Sequence, residues 1–363
     1  MTISNFSDSY GEAREKFIAA ARDANAKLYS YERDDLKGAK GEPLVCDVAV
    51  LGRSDAERSA IVITGTHGAE CFAPSAILHR WLTSPQSRAE IGDIKVILVH
   101  ALNCWGFSHK TRTTENNVDL NRNCMAQGAD YKRENTSYDK LAPFLHTEVF
   151  TAEENLRSYR AYKSYLDLHG WHLENEMLEG QSHRPDGLFY AGTGPEWANR
   201  TFRRIVTEHL SDATTIGFID WHTGVGSFGE IVYLIFNDEG SPEHEAATSW
   251  WGSTKADKAA FSANAVPKYR GLVCSAIRQE LPSPRIAGAV VEFGTSDPFS
   301  LFRADRLDRW LNFEGRNDPQ YDQFRDDYKD ANFPRDVTWR RLVLNEGPAI
   351  INRLITGVRA WRD

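Results

Sequence analysis

The sequence has few of the features that mark secreted, membrane or nucleic-acid-binding proteins. It contains five cysteines, an odd number, and no C-x-x-C pair, which argues against a disulfide framework or a thiolate zinc site. No run of about 18 apolar residues is present, so no membrane span is expected. The N-terminus shows no basic stretch followed by an apolar segment, so no signal peptide is predicted. We therefore expect a cytoplasmic protein whose thiols are buried or unreactive.

Positive charge is also in short supply. The chain has 43 Lys and Arg against 51 Asp and Glu, a formal charge of -8. This balance argues against a nucleic-acid partner, which would require a basic surface. The 41% of hydrophobic residues and 26% of charged residues are ordinary for a globular protein with a large core. A single domain over residues 1–363 is compatible with this length, and the sequence leaves room for a homo-oligomer.

Apolar, β-branched runs alternate with segments of helical periodicity along most of the chain. This alternation predicts an α/β fold whose sheet is covered by helices on both faces. The expected strands are 46–52, 59–65, 94–102, 215–222, 230–236 and 287–294, and the expected helices include 74–83, 151–169, 195–210, 243–251 and 271–280.

The two ends of the chain have helical patterns as well. Apolar residues at helical spacing over 8–30, followed by a polar stretch, predict an N-terminal helical extension over about residues 1–43. Residues 337–361 predict a C-terminal helix that breaks near Gly347 and Pro348. The polar segment 314–336 is interpreted as a surface excursion without an assigned role.

Two histidines follow or end buried strands. His67 and Glu70 lie in ITGTHGAE at H-x-x-E spacing, which lets an imidazole and a carboxylate reach one cation from a single turn. His222 ends the strand in FIDWHTGVG, and Asp220 before it is a candidate to support a ligating histidine. Ligands bind at the carboxyl ends of strands in open α/β sheets, so we expect the two histidines to meet. Each motif alone has an ordinary structural explanation.

Two further groups carry catalytic potential. Glu292 ends the apolar run AGAVVEFG, where a buried carboxylate requires a partner or a function. It is either a general base or half of a salt bridge. Arg112, Asn121 and Arg122 lie in or just before ENNVDLNRN, with a guanidinium suited to a carboxylate or an oxyanion. The alternative is a polar loop whose Asn and Asp side chains form turns.

The order of these motifs is more specific than any one of them. HGAE, Arg112, DLNRN, DWHTG and VVEFGT, in that sequence, resemble the metallocarboxypeptidase superfamily over roughly residues 45–300. The resemblance implies a three-layer αβα fold with a mixed, largely parallel, twisted sheet. It also implies one Zn²⁺ per chain, bound by His67, Glu70 and His222.

The resemblance assigns a role to each remaining motif. Glu292 is then the general base, and Arg112 stabilises the oxyanion. Asn121 and Arg122 bind the free carboxylate of the substrate. Arg112 precedes Asn121 by nine residues, closer than in the digestive carboxypeptidases, and Tyr269 corresponds to a substrate-covering family Tyr by position only.

The segment 168–202 resembles a branch of the superfamily near the succinylglutamate desuccinylase and aspartoacylase type enzymes. We interpret it as a substrate-shaping loop or a subunit contact rather than a second metal site. The expected activity is release of a C-terminal residue from a peptide. The alternatives are an N-acyl amino acid deacylase with the same site, and an inactive zinc-binding module.

Overall fold

A seven-stranded sheet forms the centre of the computed structural model, which describes residues 3–252 and 266–361. The strands in chain order are β1 (Lys27–Lys37), β2 (Pro43–Gly52), β3 (Arg58–Ile63), β4 (Lys95–His100), β5 (Thr215–Gly224), β6 (Ile231–Leu234) and β7 (Arg285–Gly294). Their spatial order is β1-β2-β4-β3-β5-β7-β6.

Helices fill most of the connections between the strands. Within the described residues they are α1 (Tyr10–Asp23), α2 (Phe72–Leu82), α3 (Pro85–Ala89), α4 (Cys104–Ser108), α5 (Leu120–Asn123), α6 (Thr136–Leu145), α7 (Ala152–His169), α8 (His172–Leu178), α9 (Trp197–Leu210), α10 (Pro242–Trp251), α11 (Ser275–Glu280), α12 (Pro298–Asn312), α13 (Tyr321–Asn332) and α14 (Val337–Ala360).

The four central strands β4, β3, β5 and β7 are parallel to one another. The flanking strands β2 and β6 pair with them in antiparallel orientation, and β1 pairs antiparallel with β2. The sheet is therefore mixed and largely parallel, as predicted.

Side chains of the central strands alternate between two apolar clusters, one on each face of the sheet. In β3, Ala60 and Val62 join the cluster formed with helices α1, α2 and α14. Ile61 and Ile63 point the other way and join the cluster formed with α9 and α11. Strands buried on both faces have to be apolar throughout, which explains their continuous runs in the sequence. The predicted three-layer αβα architecture is confirmed.

The helix expected over residues 8–30 is shorter than predicted, and the polar stretch that follows it forms a strand where no regular element was expected. Helix α1 ends at Asp23 because Asn25 adopts a left-handed conformation, with φ of 56°. The Ala26 N–H then donates to the carbonyl of Ala21, closing a Schellman-type cap. The chain continues as the edge strand β1, so this segment extends the sheet.

The C-terminal helix does not break where the sequence suggested. Helix α14 runs unbroken through Gly347 and Pro348, both of which are buried. A Cβ on Gly347 would lie 2.6 Å from Cγ1 of Ile77, so glycine lets α14 approach α2 closely at this point. The apolar packing along α14 outweighs the one backbone hydrogen bond that proline removes.

Segment 314–336 packs against the sheet instead of forming a surface excursion, which corrects that interpretation. Its helix α13 buries Tyr328, which is 2% exposed. The Thr223 hydroxyl at the end of β5 donates to the carbonyl of Asn332 at 2.7 Å. The segment therefore lies beside the carboxyl end of β5.

Two expectations about what the chain lacks can be compared with the structure. Across the described ranges, every helix is too short or too polar to cross a membrane. All five cysteines are buried and unpaired, as expected.

Buried His100 makes the stability of the protein depend on pH. Burial lowers its pKa to about 4, and the ring stacks on Phe17 at 4.6 Å while Nε2 lies 2.9 Å from the Ser75 hydroxyl. The unfolded chain binds a proton near pH 6.5 and the folded chain only near pH 4. The contribution of neutral His100 to the free energy of unfolding is therefore fully present above pH 6.5 and is lost as the pH falls toward 4.

We expect that, in His100→Asn, the free energy of unfolding falls by about 3 kcal/mol less than in wild type as the pH is lowered. The measurement is urea unfolding of chelator-treated protein at a series of pH values, with the exposed His169→Gln as control. Parallel pH profiles for wild type and His100→Asn would show that His100 is not the titrating group.

Candidate metal centre

Neighbouring parallel strands bring the predicted site residues to one edge of the sheet. His67 and Glu70 follow the end of β3, and His222 lies near the end of β5. Glu292 of β7 is the residue paired with His222 across the two strands. Carboxyl ends of adjacent parallel strands lie side by side, so residues distant in sequence become neighbours.

His67, Glu70 and His222 form a tight buried group, called here the His–Glu–His cluster. Nδ1 of His67 lies 2.8 Å from Oε1 of Glu70, and Nδ1 of His222 lies 3.0 Å from Oε2 of the same carboxylate. The two Nδ1 atoms are 3.1 Å apart. Among the described residues, this is the one group of at least three His, Cys, Asp or Glu side chains arranged to hold a metal ion.

The outer atoms of the cluster orient its inner atoms. Nε2 of His67 lies 3.2 Å from Oδ1 of Asp119, and Nε2 of His222 lies 3.3 Å from Oδ2 of Asp220. A proton on Nε2 of His67 that is donated to Asp119 leaves the Nδ1 lone pair pointing into the cluster. Inward-facing nitrogen and carboxylate lone pairs repel one another unless a cation lies between them. Two imidazoles and one carboxylate are a donor set that fits zinc and leaves one position for a substrate or water.

The electrostatics of the cluster favour positive charge at its centre. Burial opposes ionisation of Glu70, but His67 and His222 hold its pKa well below the usual value. Burial likewise acts to lower the pKa of His222, but Asp220 and Glu70 raise it well above 6.5. In both cases the surrounding groups compensate for burial by favouring a positive charge next to a negative one.

Glu292 lies at the cluster with a nearly buried carboxylate, 7% exposed. Its Oε2 is 3.4 Å from the backbone N of Val225, and no ion pair to it occurs within residues 3–252 and 266–361. Burial raises the pKa of Glu292 to about 7, with His222 opposing the rise and Glu70 adding to it. The salt-bridge alternative therefore has no support in this part of the chain, and the carboxylate is free to handle a proton.

Arg112 reaches the same cluster. Its Nη1 donates to Oε1 of Glu70 and its Nε to Oδ2 of Asp119, both at 3.1 Å. The backbone N–H of Arg112 donates to Asp308 at 3.1 Å, which fixes the loop. The short spacing between Arg112 and Asn121 thus does not keep Arg112 from the site.

Asn121 and Arg122 also lie at the site, but their polar groups are partly engaged within the protein. Asn121 Oδ1 accepts from the backbone N–H of Val273 at 2.9 Å, and its Nδ2 is 3.2 Å from Nε2 of His222. Arg122, with its side chain 4% exposed, donates from Nε and Nη2 to the carbonyl of Leu178.

Part of segment 168–202 forms a wall against these arginines. The Phe189 ring lies 5.7 Å from the guanidinium of Arg122 and 5.9 Å from that of Arg112. Gly180 has φ of +95°, and a Cβ there would lie 2.8 Å from Cδ of Arg122, so only glycine fits easily. On the other side, the ring of Tyr269 lies 4.5 Å from the Arg122 guanidinium. This part of the segment therefore contributes to the immediate surroundings of Arg122.

Sequence reasoning overlooked Asp119, which contacts most of the site. The side chain is fully buried and contacts His67, Arg112 and the backbone N–H of Asn121. Burial acts against its ionisation, but Arg112 and Arg122 keep the pKa of Asp119 well below its usual value. The only signal in the sequence was its place two residues before Asn121 in DLNRN.

Comparison with known proteins gives a family. The chain belongs to the family described as "Protein of unknown function (DUF2817)", whose model matches residues 6–346. No curated protein matches the chain.

Solved structures similar to the chain share little sequence with it. Bovine thrombin-activatable fibrinolysis inhibitor is 12% identical with a TM-score of 0.47, covering 87% of this chain and 98% of its own. Carboxypeptidase A from Helicoverpa armigera is 13% identical with a TM-score of 0.46, covering 90% and 74%. Succinylglutamate desuccinylase from Chromobacterium violaceum is 14% identical with a TM-score of 0.39, covering 84% and 74%.

Gly68, between His67 and Glu70, provides a test of how the cluster is built. A Cβ at Gly68 would lie 2.0 Å from the backbone carbon of Gly106, so a side chain would force the two loops apart. We expect Gly68→Ala to lower the free energy of unfolding by about 1–3 kcal/mol and to weaken metal binding.

The matched control is Gly194→Ala, where nothing lies within 4 Å of the added Cβ. Urea unfolding and zinc titration should show little change in this control. Equal unfolding free energies and equal zinc affinities in the two variants would contradict the close contact at Gly68.

Proposed function

We propose that the protein is a zinc-dependent hydrolase of an amide bond next to a free carboxylate, acting as a metallocarboxypeptidase that releases a C-terminal residue. The observation that carries this proposal is the convergence of His67, Glu70 and His222 with Glu292 and Arg112 beside them. The same arrangement serves an N-acyl amino acid deacylase, because both substrates present an amide near a carboxylate.

His67, Glu70 and His222 are the residues that would hold the metal. When bound, zinc supplies Lewis acidity, which polarises a carbonyl and makes water easier to deprotonate. The buried partners Asp119 and Asp220 would keep the two imidazoles oriented for this task.

Glu292 is proposed to move the proton. Its carboxylate accepts a proton from the attacking water and delivers it to the amine that leaves. A raised pKa suits both steps, since such a carboxylate accepts and releases a proton near neutral pH. Burial of the side chain excludes competing water from it.

Arg112 is proposed to stabilise the negative charge that develops on the carbonyl oxygen. Two of its N–H groups already bind Glu70 and Asp119, which hold the guanidinium in place, and its side chain remains 18% exposed. A donor fixed before the reaction costs little reorganisation in the transition state. Asn121 and Arg122 are proposed to bind the substrate carboxylate, with the N–H groups that the protein does not use.

The substrate class is tested with two matched panels on zinc-loaded protein. Short peptides with a free C-terminus are compared with N-acetyl and N-succinyl derivatives of the same C-terminal residues. We expect hydrolysis of the peptides, abolished when the C-terminal carboxylate is amidated. Faster cleavage of the acyl amino acids would instead identify a deacylase, and no cleavage in either panel would contradict the proposed activity.

Glu292→Gln tests the general base. The change keeps the shape of the side chain but removes its basicity, so we expect kcat to fall by about 100-fold or more. Metal content should be retained, since Glu292 is not a proposed ligand. The exposed Glu153→Gln on α7 is the control and should keep full activity. Full activity of Glu292→Gln would overturn the role assigned to Glu292. If Glu292→Gln left every measured activity intact, the protein would be better described as a zinc-binding module.

A further inference from the structure

Asp305 lies on the face of α12 that packs against the loops carrying Glu70 and Arg112. Leu301 precedes Ala304 and Asp305 by three and four residues, and Asp308 follows them by four and three, so the four residues lie on one side of the helix. Leu301, Ala304 and Asp308 each lie next to an identified residue of another segment. A Cβ on Gly224 would lie 3.9 Å from Leu301, as part of the contact between α12 and the end of β5.

The neighbours of Ala304 and Asp308 show where the rest of this helix face lies. Ala304 belongs to the same buried apolar cluster as Ala69, the residue before Glu70. Asp308 accepts the backbone N–H of Arg112 at 3.1 Å. Asp305 lies between these two residues on the helix, and its carboxyl group is near enough to Arg112 and Glu70 for both to act on it electrostatically.

Asp305 is half-buried, and its carboxylate has no hydrogen bond or ion pair within the two described ranges. Arg112, the cationic group that acts on Asp305 most strongly, directs its Nη1 and Nε to Glu70 and Asp119 instead. By contrast, Asp308 on the same face is saturated by Thr111, Arg112 and Arg325. An acid left without a partner beside a site is available to a ligand.

The surroundings of Asp305 carry an excess of negative charge. Burial raises the pKa of Asp305 to about 6, with Arg112 opposing the rise and Asp308 and Glu70 adding to it. A cationic group on a ligand would relieve this repulsion, whereas an anionic or apolar group would not.

The position of Asp305 also indicates which part of a substrate it meets. Arg122, which together with Asn121 is proposed to bind the substrate carboxylate, has its guanidinium 4.5 Å from the ring of Tyr269. Asp305 instead lies near Arg112, which is proposed to face the oxygen of the scissile carbonyl. A substrate that spans both arginines therefore places its acyl part near Asp305.

We propose that Asp305 is a specificity-determining residue that selects substrates whose acyl part carries a primary ammonium group. This inference rests on the proposed amide-hydrolase function. It narrows the substrate class to peptides or acyl amino acids with a cation on the acyl side of the scissile bond.

The test uses two acyl groups of nearly equal shape that differ in charge. γ-Aminobutyryl and pentanoyl derivatives of alanine, phenylalanine and glutamate are compared by kcat/KM on zinc-loaded protein. We expect wild type to prefer the ammonium-bearing member by about 10-fold or more, the size of one charge-assisted hydrogen bond. In Asp305→Asn the ratio should fall close to one, and in Asp322→Asn, an exposed acid on α13, it should stay as in wild type.

A binding measurement separates failure of this inference from failure of the proposed activity. Phosphinate analogues of both acyl groups, which are not hydrolysed, are titrated calorimetrically into wild type and Asp305→Asn. Tighter binding of the ammonium-bearing analogue, lost in the variant, supports the inference even if turnover is slow.

Equal binding and turnover of both members in wild type would overturn the role of Asp305 and leave the hydrolase intact. Absence of both binding and turnover would overturn the hydrolase and the inference together. Asp305→Ser serves as a second variant, and circular dichroism with thermal unfolding confirms that the variants compared are folded. A preference that persists in both folded variants would also overturn the inference.

Discussion

Buried charge has to be balanced, and this constraint organises the centre of the protein. Glu70, Asp119 and Asp220 are 3% exposed or less, and each would be costly to bury alone. Arg112 binds the first two through separate nitrogen atoms, while the imidazoles of His67 and His222 contact all three. A divalent cation between the imidazoles and Glu70 would complete this balance, which is why we propose a metal there.

Segments far apart in sequence hold this arrangement in place. Asp308 of α12 fixes the backbone of Arg112 and is itself bound by Arg325 of α13 at 2.7 Å. The carbonyl of Leu178 fixes Arg122 from the opposite side. Helices that looked peripheral in the sequence thus position the side chains proposed to meet the substrate. The same packing leaves Asp305 directed toward the site without a partner of its own.

The sequence predicted the central sheet well because strands buried on both faces must be apolar throughout. The same logic failed for β1, an edge strand whose exposed positions are polar and whose first residues continue the spacing of α1. A different rule, that proline breaks a helix, failed at Pro348, where packing against α2 keeps α14 continuous. The sequence predicted that His67, Glu70, His222 and Glu292 lie together, because each follows or ends a buried strand and the ends of neighbouring parallel strands meet. Asp119 and Asp308 could not be found in this way, since their importance arises from contacts with loops that only the fold brings near.

Metal content is the most direct test of the central claim. Purified wild type would be reconstituted with zinc, dialysed and measured by elemental analysis beside His67→Ala, His222→Ala and the exposed control His169→Ala. The account predicts about one zinc per chain in wild type and the control, with loss from both cluster variants while they stay folded. A folded wild type that retains no metal, or cluster variants that retain it fully, would contradict the assignment of the His–Glu–His cluster as a metal centre.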